Sequence, residues 1–132
     1  MDNKKPSVLI VDDEPMVCDL LHDDLNERGY LCATALSGND ALTSLAKQDF
    51  DVVLLDIRLP GMSGMEVLRR IRRTWFNHSD IATIMITAVN DINTAVDAMK
   101  LGASDYIVKP FELDRVDTSI HQAIEAKQAT HN

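Results

Sequence analysis

Several short apolar runs in this chain each stop at a side chain that can do polar chemistry. Ser7-Val-Leu-Ile-Val11 gives way to Asp12-Asp13-Glu14, and Val52-Val-Leu-Leu55 to Asp56. Ala82-Thr-Ile-Met-Ile86 ends in Thr87, and Asp105-Tyr-Ile-Val108 is followed by Lys109-Pro110-Phe111. Carboxylates brought together repel and raise one another's pKa unless a cation stands between them. The ligands on offer are hard oxygens, and the histidines (His22, His78, His121, His131) are scattered with no i, i+4 pair. Mg²⁺ (or Mn²⁺) therefore suits the acids better than a metal that favours thiol or imidazole. Such an ion keeps waters and bridges to phosphate oxygens. The hydroxyl of Thr87 and the ammonium of Lys109 both suit a phosphoryl group. Phosphoryl transfer needs mainly in-line positioning and charge neutralisation, and Asp56 is read as the carboxylate that reacts.

The elements that must position these groups can be read from hydrophobic spacing. A short apolar run bounded by turn residues is a strand buried on both faces, as in a parallel sheet between helices. Residues 7–11, 31–35, 52–55, 82–87 and 105–108 are the expected strands. Pro15 opens a first helix, with Val17, Leu20, Leu21 and Leu25 as its apolar face, and Gly29 ends it. Ser37-Gly-Asn-Asp starts a second helix through Ala41, Leu42, Leu45 and Ala46. The third runs from Gly64 to about Trp75 with Val67, Leu68 and Ile71 inward and Arg69, Arg70, Arg72 and Arg73 as a solvated face. Asn90-Asp91 caps a fourth, with Ile92, Val96 and Met99 facing inward and Gly102 stopping it. Leu113, Val116, Ile120 and Ile124 mark a fifth. Strands alternating with helices give an α/β, doubly wound parallel sheet. Right-handed crossovers put all strand C-termini along one edge, where ligands bind in open α/β sheets. Asp12, Asp13, Asp56, Thr87 and Lys109 should meet there. Taken singly, an Asp-Asp pair, a terminal threonine and a Lys-Pro turn are ordinary features. Their occurrence in order at consecutive strand ends is what points to a site.

Composition narrows the class. The chain has 132 residues and a net charge of −8, from 13 basic and 21 acidic side chains. One domain is expected over residues 1–126, with 127–132 a polar tail that frays. The acidic balance speaks against nucleic-acid binding by this chain, whose footprint would be basic. No apolar run approaches the roughly 18–20 residues that cross a bilayer, and the first residues lack the apolar core of a signal peptide. A cytoplasmic protein without membrane contact is the expectation. Cys18 and Cys32 show no metal or redox spacing and are read as reduced and structural. The stretch after Pro110 is short for an effector domain, so either a stand-alone regulator or part of a longer one is expected.

Four motifs, Val11-Asp-Asp-Glu14, Leu55-Asp-Ile-Arg-Leu-Pro-Gly-Met-Ser-Gly64, Ile86-Thr-Ala88 and Gly102-Ala-Ser-Asp-Tyr-Ile-Val-Lys-Pro-Phe111, resemble the receiver domains of two-component response regulators, the chemotaxis-regulator-like fold. The likeness runs from about Val8 to Ile124. It implies a flavodoxin-like five-stranded sheet in the order 2-1-3-4-5 with five helices. It also implies phosphorylation of Asp56 by a histidine kinase or a histidine phosphotransfer protein. By the same resemblance Asp13 and Asp56 ligate the metal directly, with the backbone carbonyl of Arg58, and Asp12 acts through water. Thr87 and Lys109 contact the phosphoryl oxygens, Thr87 and Tyr106 form the switch, and Arg58 and Val89 tune hydrolysis. The bond before Pro110 is expected to be cis. The partners implied are the phosphodonor and an unknown effector, with the chain a monomer or a weak phosphorylation-dependent dimer. It is not expected to be an enzyme acting on an external substrate.

The segment from Thr74 to Ile81 is longer than usual for such domains, and Trp75 and Phe76 on it are read as core plugs. Asp114, Arg115 and Asp117 do not match the charged dimer pattern of winged-helix regulators. One alternative is a pseudo-receiver, a phosphorylation-independent interaction module on the same fold; the intact site positions argue against it. A phosphatase of the haloacid-dehalogenase type would place a second acid where Arg58 stands. A flavodoxin-like nucleotide binder would need a phosphate loop where Asp12-Asp13-Glu14 repels phosphate. Both are set aside.

Overall fold

The structure, a computed structural model, describes residues 5–73 and 81–131. Five strands, β1 (Ser7–Val11), β2 (Leu31–Ala35), β3 (Val52–Leu55), β4 (Ala82–Thr87) and β5 (Asp105–Val108), form one parallel sheet in the order β2-β1-β3-β4-β5. Helices α1 (Pro15–Glu27), α2 (Gly38–Lys47), α3 (Gly64–Arg73), α4 (Ile92–Lys100) and α5 (Leu113–His131) alternate with them. This is the flavodoxin-like doubly wound topology. Trp75 and Phe76 lie outside the described residues.

The unbroken apolar runs follow from burial on both faces. On one face Leu9, Val11, Val53, Leu55 and Met85 pack against Leu45 of α2, Val67, Leu68 and Ile71 of α3 and Ala98 of α4. On the other, Val8, Ile10, Leu54 and Ile84 pack against Leu21 and Leu25 of α1 and Val116 and Ile120 of α5. Successive strand residues point to opposite faces, so each run feeds both cores. α1 and α4 end alike. Gly29 and Gly102 take positive φ (102° and 106°), and Tyr30 N–H donates to the Leu25 carbonyl as Ala103 N–H does to that of Ala98. That closure needs a left-handed residue, which glycine adopts without strain. No helix among the described residues is long and apolar enough to cross a membrane.

Four expectations are corrected. On α4, Ile92, Val96 and Met99 are exposed (77%, 43% and 47%), and Ala98 is the residue that turns in. Its small side chain lets the helix lie close on the sheet and rotates the larger apolar residues outward. On α1, Leu20 is half-exposed because Cys18, Leu21 and Leu25 fill the inner face. Helix α5 continues past Ala126 to His131, since residues 125–129 are good helix formers with no glycine or proline to stop them. Lys127 anchors this last stretch, its ammonium donating to the Asp51 carbonyl (3.2 Å). Finally, Arg72 is not on a wet face: it reaches β4, donating to the carbonyl of Ile81 and the hydroxyl of Thr83. Arg69 and Arg70 pair with Glu66 one turn back.

The charges at the start of α5 are satisfied within the chain. Arg28 bridges Asp24, Asp114 and Asp117, and Tyr30 donates to Asp117 (2.7 Å). Asp105, at the start of β5, accepts from Arg115 (2.9 and 3.2 Å), Ser119 (2.7 Å) and the Tyr106 N–H (2.8 Å). Burial pushes the Asp105 carboxyl up, but these donors outweigh it and hold its pKa below the ordinary carboxylate value. A depressed pKa contributes stability above about pH 4, the unfolded value, which is lost as pH falls through the folded value. Asp105→Asn should therefore be less stable than wild type in urea at pH 7, with the gap closing toward pH 3. A gap that is constant across that range would show that the carboxylate's charge contributes nothing.

Candidate functional site

Strand register brings the polar residues to one edge. Val11 pairs with Leu55 and with Ala35, and Thr87 with Val108. The hydrogen-bond ladder then runs one residue further at each strand end. Asp12 N–H donates to the Ala35 carbonyl (3.1 Å), Asp56 N–H to that of Val11 (3.0 Å) and Lys109 N–H to that of Thr87 (2.8 Å). These backbones are thus fixed by the sheet, although each residue lies just beyond a strand.

The side chains converge. One carboxylate oxygen from each of Asp12, Asp13 and Asp56 lies within 4.8 Å of the others. Asp12 and Asp56 are buried (3% and 5% exposed) while Asp13 faces solvent. Lys109 Nζ donates to Asp12 Oδ2 (2.6 Å) and Asp56 Oδ2 (2.9 Å) and stands 3.5 Å from Glu14 Oε2. The remaining oxygens accept from backbone: Asp12 Oδ1 from Glu14 N–H (2.9 Å), Asp56 Oδ1 from Arg58 N–H (3.2 Å). Burial pushes the Asp12 carboxyl up, and the Lys109 ammonium and the Glu14 N–H only partly offset it. Burial opposes the charge on Lys109, yet its bonds to Asp12 and Asp56 outweigh this and raise its pKa. Several acids thus share one ammonium. Hard carboxylate oxygens at this spacing fit a divalent oxygen-loving cation.

Loops complete the rim. The Lys109–Pro110 peptide is cis. Gly61 takes positive φ (75°) in the turn after Pro60, and Gly64 N–H donates to the Ile57 carbonyl (2.8 Å). A Cβ on Gly64 would sit 2.0 Å from the backbone oxygen of Asp56, so α3 can start against the site only from a residue without a side chain. Thr87 is fully buried, and its hydroxyl accepts from Val89 N–H (3.3 Å). The Tyr106 hydroxyl donates to the Val89 carbonyl (2.8 Å), and burial raises its pKa, so it remains a donor. Val89 is therefore held from both sides. Arg58 is exposed at the mouth. Cys18 lies just behind the acids, its thiol bonded to the Asp12 carbonyl (3.3 Å); burial pushes it up to about 11, which keeps it protonated. Both cysteines are free.

Comparison with known proteins decides the family. Residues 8–121 match the model of the response regulator receiver domain. The chain belongs to that family. It is 37% identical over 121 residues to YkoG, an uncharacterised transcriptional regulatory protein of Bacillus subtilis, covering 92% of this chain and 52% of that one. It is 36% identical over 126 residues to the transcriptional regulatory protein ZraR of Salmonella typhimurium, covering 96% and 28%. This receiver domain thus spans about half or less of the curated relatives it matches. Among solved structures it resembles a CheY-like receiver domain protein from Methanospirillum hungatei (TM-score 0.90, 25% identity, 96% and 99% covered). It also resembles the response regulator TrrA of Thermotoga maritima in complex with Mg²⁺ and beryllofluoride (TM-score 0.79, 34% identity, 89% and 98% covered).

Two site features were not legible from spacing. The need for glycine at position 64 arises from a contact across the β3–α3 loop. The double hold on Val89 joins residues far apart in sequence. Gly64→Ala should cost about 1–3 kcal/mol in chemical denaturation, as overpacking typically does, by forcing the loop away from Asp56. Unchanged stability would mean the loop yields freely.

Proposed function

We propose that this receiver domain accepts a phosphoryl group on Asp56 from the phosphohistidine of a histidine kinase or phosphotransfer protein, in a Mg²⁺-dependent reaction. The observation that carries the reading is the convergence of Asp12, Asp13 and Asp56 around one point, with Lys109 bridging two of them. The TrrA complex, solved with Mg²⁺ and beryllofluoride, lends support. The pseudo-receiver reading has no observation in its favour.

A carboxylate oxygen of Asp56 attacks phosphorus, the P–N bond breaks, and the donor imidazole leaves with the electron pair and takes a proton. Arg58 N–H on Oδ1 and Lys109 on Oδ2 fix the carboxylate before attack. Such preset geometry is a large part of what this chemistry requires. Asp12, Asp13, Asp56 and the Arg58 carbonyl would hold Mg²⁺ (or Mn²⁺), which would supply charge neutralisation for the phosphoryl oxygens. Lys109, already in contact with Asp56, turns its ammonium to those oxygens. Arg58 and Val89, at the mouth, set the access of water for hydrolysis.

The new charge and acceptor oxygens draw the Thr87 hydroxyl. Thr87 now accepts from Val89 N–H while Tyr106 donates to the Val89 carbonyl, so a shift of Thr87 acts on Tyr106 through one residue. The change spreads to α4 and β5 as a population shift of about 1–3 kcal/mol. The relatives named as transcriptional regulators support an effector downstream of this domain, joined to it or separate. Acetyl [³²P]phosphate with Mg²⁺ should label the wild type, and Asp56→Asn should lose the label. Undiminished label in the variant would place the acceptor on another residue.

A further inference from the structure

At the rim of the strand-end site stands an acid outside the converging cluster. Glu14 directly follows Asp12 and Asp13, yet the acids whose oxygens gather around one point are Asp12, Asp13 and Asp56. The Glu14 carboxylate lies 3.5 Å from Lys109 Nζ, and its side chain is 64% exposed where that of Lys109 is 15%. We propose that Glu14 selects among phosphodonors by the charge of their leaving group, favouring a basic nitrogen over an anionic carboxylate. The selection presupposes that Asp56 is the acceptor.

Helix α1 does not account for this side chain. Glu14 occupies the N-cap of α1 with extended backbone (φ −97°, ψ 109°) and makes no side-chain cap bond. Serine, threonine, aspartate and asparagine cap well because their short side chains reach the N–H groups of the first turn. What fixes Glu14 is its backbone. Its N–H donates to Asp12 Oδ1 (2.9 Å), and its carbonyl accepts from the N–H groups of Val17 and Cys18 (3.0 and 3.2 Å). Glu14 is thus pinned between the acids and the helix, with its carboxylate at the mouth. Asp12 and Asp56 lie closer to the Lys109 ammonium (2.6 and 2.9 Å), so that ammonium does not cancel the charge of Glu14.

Asp56 is buried, and a donor approaches it from the solvent side. In-line attack by an Asp56 oxygen sends the leaving group back toward that side. A charge at the rim therefore meets the leaving group as its bond to phosphorus breaks. In an acyl phosphate the P–O bond breaks and a carboxylate departs with the electron pair, gaining negative charge as it goes. In a phosphoramidate or a phosphorylated imidazole, protonated from solvent beforehand, the P–N bond breaks. The nitrogen base departs with the electron pair as a neutral molecule, still carrying part of its positive charge in the transition state. The Glu14 carboxylate repels the first and attracts the second.

The test compares phosphorylation of the full chain by acetyl phosphate and by phosphoramidate, both with Mg²⁺, as second-order rate constants followed by intact-mass spectrometry. Glu14→Gln should raise the ratio of the acetyl phosphate rate to the phosphoramidate rate about threefold or more, and Glu14→Lys should raise it further. Salt should shrink the shift, since the side chain is exposed. Mn²⁺ broadening of amides 56–58 should develop at the wild-type concentration in Glu14→Gln, and circular dichroism shows that each variant is folded. An unchanged ratio in the folded variants, or a shift that salt does not reduce, overturns the selection. Weaker Mn²⁺ binding with both donors slowed alike overturns it too, by making Glu14 a cation ligand. Wild-type protein phosphorylated by neither donor would instead overturn the role of Asp56 as acceptor, and the selection with it.

Discussion

Crowding of negative charge at the end of β1 and β3 is the constraint on which the rest of this receiver domain depends. Asp12 and Asp56 are buried within reach of Asp13, and Glu14 stands at the rim. A single ammonium, Lys109, is shared between the two buried carboxylates. Burial is the chief cause of the upward push on the Asp12 carboxyl, and the Lys109 ammonium offsets it only in part. A cluster that wants one more cation, and holds a carboxylate with both oxygens already oriented, is suited to meet a phosphoryl group.

Parallel topology makes such crowding possible at no cost in chain entropy beyond that of the fold itself. Asp12 and Asp56 each sit one residue past a strand, and the ladder bonds of Asp12, Asp56 and Lys109 extend the sheet to include them. Core packing on both faces then fixes the register, and the register fixes the site. Gly64 lets the following helix close over the same edge. From there the geometry leads outward. Thr87, Val89 and Tyr106 form a chain of two hydrogen bonds from the buried edge to β5, close to the helix whose Ile92, Val96 and Met99 face solvent.

Much of this was legible in the sequence because it depends on local rules. Apolar runs gave all five strands, capping residues and glycines gave helix ends, and strand order made the polar residues neighbours. What was not legible depends on how elements seat against each other. Helical spacing identified Ile92, Val96 and Met99 as one face of α4 but not which way it points. That is decided by Ala98, whose small volume lets the helix approach the sheet. The same holds for Arg72, which spacing placed on a charged face and tertiary packing draws to Thr83. The ion pairs of Arg28 with Asp114 and Asp117 join α1 to α5 across most of the chain, and no periodicity encodes them. The polar composition of the last residues suggested fraying, while their helix propensity and the Lys127 contact carry α5 to His131.

The most direct test of the central claim is to titrate ¹⁵N-labelled protein with Mn²⁺ and follow paramagnetic broadening of the amide signals. One bound ion among Asp12, Asp13 and Asp56 predicts that amides of residues 12–14, 56–58 and 109 broaden first and together, that Mg²⁺ reverses the effect, and that Asp13→Asn weakens it. Broadening that begins elsewhere on the acidic surface, or that Mg²⁺ does not compete away, would contradict a shared cation site at the strand ends.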